Sequence, residues 1–198
     1  MTGYYNDKLA AERLRQCYGL APERTRKYLQ AELDFTLSQI KPGDIVLDLG
    51  CGYGRTLPTL AAKAGSVIGI DNAEASIAMA RQAAKDIPNI VVKEMDAARL
   101  LFATNLFDVV ICNQNGISAF HCDQKNLLQE ALRVTKPGGL ALFSTYAKKF
   151  WEYRLEWFKL QAAAGLLGEI DWEKTKDGII ICHDGFTAST VSPEQFLQ

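Results

Sequence analysis

The 198 residues are 48% hydrophobic and 23% charged, the profile of one globular domain with a sizeable core. A net charge of −1, from 22 Lys and Arg against 23 Asp and Glu, supplies no global basic field to gather nucleic acid or an anionic membrane. No apolar run approaches the roughly 20 residues of a membrane span, and the start, MTGYYNDKLA, lacks the basic-then-apolar order of a signal peptide, so a cytoplasmic protein is expected.

Residues 7–17 and 22–39 show helical spacing, and Pro22 suits a first helical turn. Leu29, Leu33, Leu37 and Ile40 form an apolar stripe. Between and around these residues, Arg13, Arg15, Arg24, Arg26 and Lys27 alternate with Glu12 and Glu23, which reads as a solvated face. KPGD (41–44) breaks the chain, and IVLDLG follows as a short buried strand. RTLPTLAAKAG reads as a helix that tolerates Pro58 early. SVIGID (66–71) is a second strand, followed by an alanine-rich helix over 73–85 with Asn72 as its cap. NIVVKEMD (89–96) and LFDVVICNQ (106–114) are the third and fourth strands. Asp123 caps a helix over 123–135, and KPGG (136–139) turns into a fifth strand, LALFSTYA. A long helix, KKFWEYRLEWFKLQAAAGLLG, precedes a sixth strand over 178–190, bent at Gly185. Five cysteines without a C-x-x-C pair are expected as free thiols.

This alternation predicts an α/β fold, a doubly wound and mostly parallel Rossmann-like sheet with helices on both faces. The ligand of such a sheet sits beyond the carboxyl ends of the strands, where the strand order reverses. The turn after the first strand, GCGYG, lies there. Its spacing is G-x-G-x-G, unlike the dinucleotide fingerprint, and no Lys-Ser or Lys-Thr follows as in a P-loop. Asp48 precedes the turn, Asp71 ends the second strand and Asp96 ends the third. Three like charges around one crevice repel each other unless a ligand rich in hydroxyls, amines or positive charge meets them.

VLDLGCGYGR resembles the first motif of the class I S-adenosylmethionine-dependent methyltransferases, D/E-x-G-x-G-x-G. VIGIDNAEASIAMAR, EMDAARL and LFDVVICN are similar to the second, third and fourth motifs, and LRVTKPGGLALFS to the turn into strand five. The match spans roughly residues 40–146 in order. The resemblance implies strand order 3-2-1-4-5 then 6; the sequence departs from the family in that the seventh strand is expected to be missing. It implies that Asp48 reaches the methionine amine, and that Gly50, Cys51, Gly52 and Gly54 form a turn whose backbone meets the methionine and ribose portions. It implies that Asp71 holds the ribose hydroxyls, that Asn72 lies beside the adenine, and that Asp96 and the Ala97 amide bond the adenine edge. Asn113 and Gln114 would face the methionine part and the substrate. The implied cofactor is S-adenosylmethionine, with S-adenosylhomocysteine as product and no metal.

The acceptor side is less marked. NQNGISAF replaces the N/D-P-P-Y of adenine-N6 and glutamine-N5 enzymes, and Cys112 has no proline before it. Asn115, His121 and Tyr5 are the candidate catalytic residues for methyl transfer to an N or O atom of a small molecule. A non-catalytic cofactor-binding module and a nicotinamide-dependent oxidoreductase are the competing readings. Residues 1–40 read as a helical lid bearing Tyr4, Tyr5, Tyr18 and Tyr28, whose faces can attract a cation. Residues 41–198 read as the core, within which 147–176 form a substrate-cap helix with Phe150, Trp151, Trp157 and Phe158. The end, SPEQFLQ, reads as a helix beginning, and a longer natural protein is expected.

Overall fold

The computed structural model describes residues 3–196; residues 1–2 of the expected lid and 197–198 of the expected core lie outside the described residues. The chain begins with α1 (Tyr4–Asp7), α2 (Ala11–Gly19) and α3 (Glu23–Gln39). The central units are β1 (Ile45–Leu49), α4 (Leu57–Ala61), β2 (Ser66–Asp71), α5 (Glu74–Ala84), β3 (Ile90–Glu94) and β4 (Phe107–Cys112). Then come α6 (Gly116–Ala119), α7 (Gln124–Val134), β5 (Thr135–Phe143), a 3-10 turn at Lys148–Phe150, and α8 (Trp151–Ala163). The short β6 (Ile180–Ile181), β7 (Thr187–Ala188) and α9 (Pro193–Phe196) follow.

The five-stranded sheet has the order β3-β2-β1-β4-β5, and every pairing in it is parallel. The Rossmann-like fold with order 3-2-1-4-5 is therefore the observed one. Successive residues of a strand face opposite sides. Val46, Val67, Val109 and Ile111 pack with Leu33 of α3, Leu57 and Leu60 of α4 and Ile77 of α5. Leu47, Leu49, Ile70 and Val110 pack on the other face with Leu127, Ala131 and Val134 of α7. Burying each such side chain contributes about 1.5–3 kcal/mol, so the two faces hold β1 at the centre of the molecule. A third apolar cluster joins Leu9, Cys17, Leu29, Trp157, Phe158, Ile180 and Phe186, away from the sheet.

The structure corrects several expectations. The sixth strand does not join the sheet: β6 and β7 pair with each other, antiparallel, as a separate hairpin. The sequence GIIICHDGFT reads as one apolar run, but Gly185 at φ +96° turns it back on itself. The helix expected over 7–17 is instead two, broken at residues 8–10. Asn72 does not cap α5; the cap position is Ala73, whose amide donates to Asp71 Oδ1 at 2.9 Å. The KPGG turn lies within β5 as a bulge, so that Phe107 pairs with Thr135 while Val109 pairs with Leu140. No helix among the described residues is long and apolar enough to cross a membrane.

Asp123 caps α7 as expected, its Oδ1 accepting from the amides of Lys125 at 2.9 Å and Asn126 at 3.2 Å. Asp123→Ala leaves these amides without the carboxylate and should cost about 1 kcal/mol. Urea titration read by far-UV circular dichroism would show the midpoint falling with the slope unchanged.

Candidate active site

A cavity of about 220 Å³ is lined by residues that follow the carboxyl ends of β1, β2, β3 and β4. The glycine turn forms one wall. Gly50, Gly52 and Gly54 have φ of +73°, +54° and +84°, a region that favours residues without a Cβ. A Cβ at Gly50 would stand 2.5 Å from the Phe120 ring, so both the backbone conformation and the space around it exclude a side chain there.

Asp48 lies beneath the turn at 5% exposure, its Oδ2 accepting from Thr56 Oγ1 at 3.2 Å. Burial pushes its carboxyl up to about 7; Asp71 and Glu32 add to the rise, while Thr56 and Arg55 oppose it. Asp71 binds the turn directly. Its Oδ2 accepts from the Gly52 amide at 2.9 Å and its Oδ1 from Ala73. Burial raises its pKa, and the amides pull it back. Asp96 stands two residues past the end of β3, exposed, with Oδ1 accepting from the Ala98 amide at 2.8 Å.

The cavity brings together Asp48, Gly50, Cys51, Gly52, Asp71, Asn72, Asp96, Ala97, Asn113 and Gln114. Gly54 stands off it; a Cβ there would meet Ala80 of α5 at 3.1 Å. Asn113 Nδ2 donates to Thr36 Oγ1 at 2.9 Å. The Gln114 backbone is left-handed, its amide donates to Glu32 Oε1 at 3.0 Å, and its side-chain oxygen accepts from the Tyr18 hydroxyl.

The candidate catalytic residues also line the cavity, in unequal ways. Asn115 is buried and already engaged, donating to the Ser189 carbonyl at 2.9 Å and accepting from Thr145 Oγ1 at 2.7 Å. His121 is exposed, at φ +50°. Burial pushes the Tyr5 hydroxyl up to about 12, which keeps it protonated. Of the expected cap aromatics, Trp157 and Phe158 line the cavity, whereas Phe150 stacks on Tyr28 with ring centroids 4.0 Å apart. Trp151 is not in the wall, and His183 lies exposed outside it, 3.9 Å from Asp171.

Sequence reasoning missed Glu32, Arg55, Tyr146, Arg154 and Gln161. Glu32 sits where α3 meets the end of β5, accepting from Ser144 Oγ at 2.5 Å, and burial raises its pKa. Its signal was readable: at helical spacing it shares a face with buried Leu29, Leu33 and Thr36. Arg55 lies over the Tyr18 ring at 4.7 Å, beside the acids. Among the described residues, no three His, Cys, Asp or Glu side chains gather as a metal site would require.

Residues 46–139 match the model of a methyltransferase domain. Over 124 residues the chain is 30% identical to a ubiquinone biosynthesis O-methyltransferase of Hydrogenovibrio crunogenus, an overlap covering 62% of this chain and 51% of that one. Over 150 residues it is 29% identical to the 2-methyl-6-phytyl-1,4-hydroquinone methyltransferase of Synechocystis, covering 66% of this chain and 46% of that one. The chain thus spans about half the length of these curated relatives, and 34% and 43% of two others. A solved S-adenosylmethionine-dependent methyltransferase of Methanosarcina mazei superposes with a TM-score of 0.61 at 22% identity, covering 82% of this chain and 80% of that one. That last likeness speaks for the fold. Strand order, glycine turn and domain match agree in supporting a class I S-adenosylmethionine-dependent methyltransferase.

Proposed function

We propose that this chain binds S-adenosylmethionine beneath the glycine turn and transfers its methyl group to an N or O atom of a small-molecule acceptor. The observation that carries the reading is the acidic floor. Asp48 is buried, and burial raises its pKa to about 7, with Asp71 and Glu32 adding to the rise and Arg55 only partly offsetting it. A ligand bearing an ammonium and a sulfonium supplies what these carboxylates lack. The residues present fit it: Asp48 for the amine, Asp71 for a ribose diol, Asn72, Asp96 and Ala97 for the adenine, and Asn113 and Gln114 for the methionine end. The backbone of Gly50, Cys51 and Gly52 offers close approach with little side-chain bulk. When bound, the sulfonium supplies an electrophilic methyl group and leaves as a neutral thioether.

The chain's own contribution is alignment and exclusion of water. In this reading residues 3–19 act as the lid. Tyr4, Tyr5, Leu14 and Tyr18 line the cavity, and the Ala11 amide donates to Ser76 Oγ of α5 at 2.9 Å. No side chain stands out as a general base, since Asn115 is engaged, His121 is exposed and Tyr5 is held protonated. Displacement at a sulfonium needs no acid for the leaving group, and an acceptor that enters as an anion or a neutral amine needs no base before attack, any proton it then sheds passing to solvent. The names of the two curated relatives support a small acceptor.

Thermal unfolding tests the donor. S-adenosylmethionine and S-adenosylhomocysteine should each raise the melting temperature while NAD does not; the reverse pattern would overturn the reading. Asp71→Ala should weaken S-adenosylhomocysteine by about 1–3 kcal/mol in calorimetry.

The Asp48 shift gives a pH test with a definite sign. Its folded pKa, about 7, lies above the ordinary 3.8, so the stability it contributes is present below pH 3.8 and is lost as pH rises toward 7. A ligand that sets its ammonium against Asp48 prefers the ionised form. The affinity for S-adenosylhomocysteine should therefore rise about tenfold from pH 6 to pH 8. Asp48→Asn should flatten both profiles.

A further inference from the structure

Two chemically different groups of residues line the cavity. One comprises the acids Asp48, Asp71 and Asp96, with Arg55 the cation that acts on Asp48; the other comprises the aromatics Tyr146, Trp157, Phe158 and Phe186 with Arg154. Arg154 is 1% exposed. Among the described residues no carboxylate lies within ion-pair distance of it. Its Nη1 donates to the Gly178 carbonyl at 2.7 Å, and its Nη2 to those of Ala188 at 3.1 Å and Ser189 at 3.4 Å. Its Nε is buried without a partner. The guanidinium lies over the rings of Tyr146 at 4.9 Å and Phe158 at 5.5 Å. Carbonyl dipoles and ring faces offset part of the cost of burying a cation, but they leave its full charge in place.

Gln161 lies two helical turns further along α8. It is 3% exposed, lines the cavity, and its amide has no hydrogen-bond partner among the described residues. A fixed, unneutralised cation and an unpaired amide in an aromatic chamber make an incomplete recognition site.

We infer that the methyl acceptor carries a carboxylate on an aromatic frame, with Arg154 as its counter-ion and Gln161 as a hydrogen-bond donor to it. The inference rests on the methyltransferase reading of the same cavity. A carboxylate, with one negative charge, matches the one charge of Arg154, since Arg55 stands with the acids; a phosphate dianion would leave one charge unbalanced. The group that holds the acids suits the cationic donor, so the cavity's polarity sets which ligand goes where.

The test uses the whole chain saturated with S-adenosylhomocysteine, with benzoate, benzamide and phenyl phosphate as probes in thermal unfolding and calorimetry. Benzoate should raise the melting temperature and bind at least about tenfold more tightly than benzamide, the scale of one charge-assisted contact. Arg154→Gln should abolish that preference while S-adenosylhomocysteine still binds, and Arg154→Lys should retain part of it. Should Arg154→Gln fail to fold, Gln161→Leu serves instead, with a several-fold loss for benzoate and unchanged S-adenosylhomocysteine binding. Equal binding of benzoate and benzamide to the loaded wild-type protein would overturn the proposal and leave the donor reading standing. Tighter binding of phenyl phosphate than benzoate would overturn the choice of carboxylate. Failure of S-adenosylhomocysteine itself to bind would remove the donor reading, and this inference with it.

Discussion

The site hangs on one carboxylate. Asp71 ends β2, yet its two oxygens reach two other segments: Oδ2 accepts from Gly52 in the turn after β1, and Oδ1 from Ala73 at the start of α5. The turn itself has little to hold it. Three residues in the left-handed region have no side chains to pack, and glycine gains most from disorder. Asp71 supplies the missing restraint from the neighbouring strand, while the Cys51 amide donates to the Ile70 carbonyl at 2.8 Å. The parallel register of β1 and β2 makes this possible, because Leu49 pairs with Ile70 and β2 runs one residue further, to Asp71. Fold and site are thus one construction: the order of the strands brings the acid to the glycines.

A second layer completes the chamber. Cys17, Leu29, Trp157, Phe158, Ile180 and Phe186 form a core of their own that draws on α2, α3, α8 and the hairpin. Trp157 Nε1 donates to the Cys17 carbonyl at 2.8 Å, which ties α8 to the N-terminal helices. The sheet side of the cavity is polar and acidic, whereas this outer side is aromatic with one buried cation. Two hydrophobic clusters with different jobs therefore meet across a single cavity.

Much of this was legible in the sequence, and the limits are physical. The central strands were readable because β1 and β4 are buried on both faces and appear as short unbroken apolar runs. Asp48, Asp71 and Asp96 were readable because strand ends place acids at one edge. The hairpin at 178–190 was not, since an apolar run carries no mark of whether it pairs with a sheet or with itself. Asn72 looked like a cap by residue type, but Asp71 had already taken the Ala73 amide. Asn115 looked free, yet its amide is spent on Ser189 and Thr145, which lie 74 and 30 residues away in the chain. Arg154 was hidden among aromatics on a helix whose apolar residues show no single face. Its isolation from any acid is a fact of three dimensions.

The acidic floor also bears on the protein's sulfur. Cys51 and Cys112 are buried beside it, and desolvation, with the nearby Asp48, raises both thiol pKa values far above the ordinary range. Oxidation and alkylation proceed through the thiolate, and these two thiols scarcely form one. Cys122 is only half-buried, and burial raises its thiol pKa as well. Burial, reinforced by the carboxylates that suit the cavity to a cation, thus renders the thiols at its base chemically quiet.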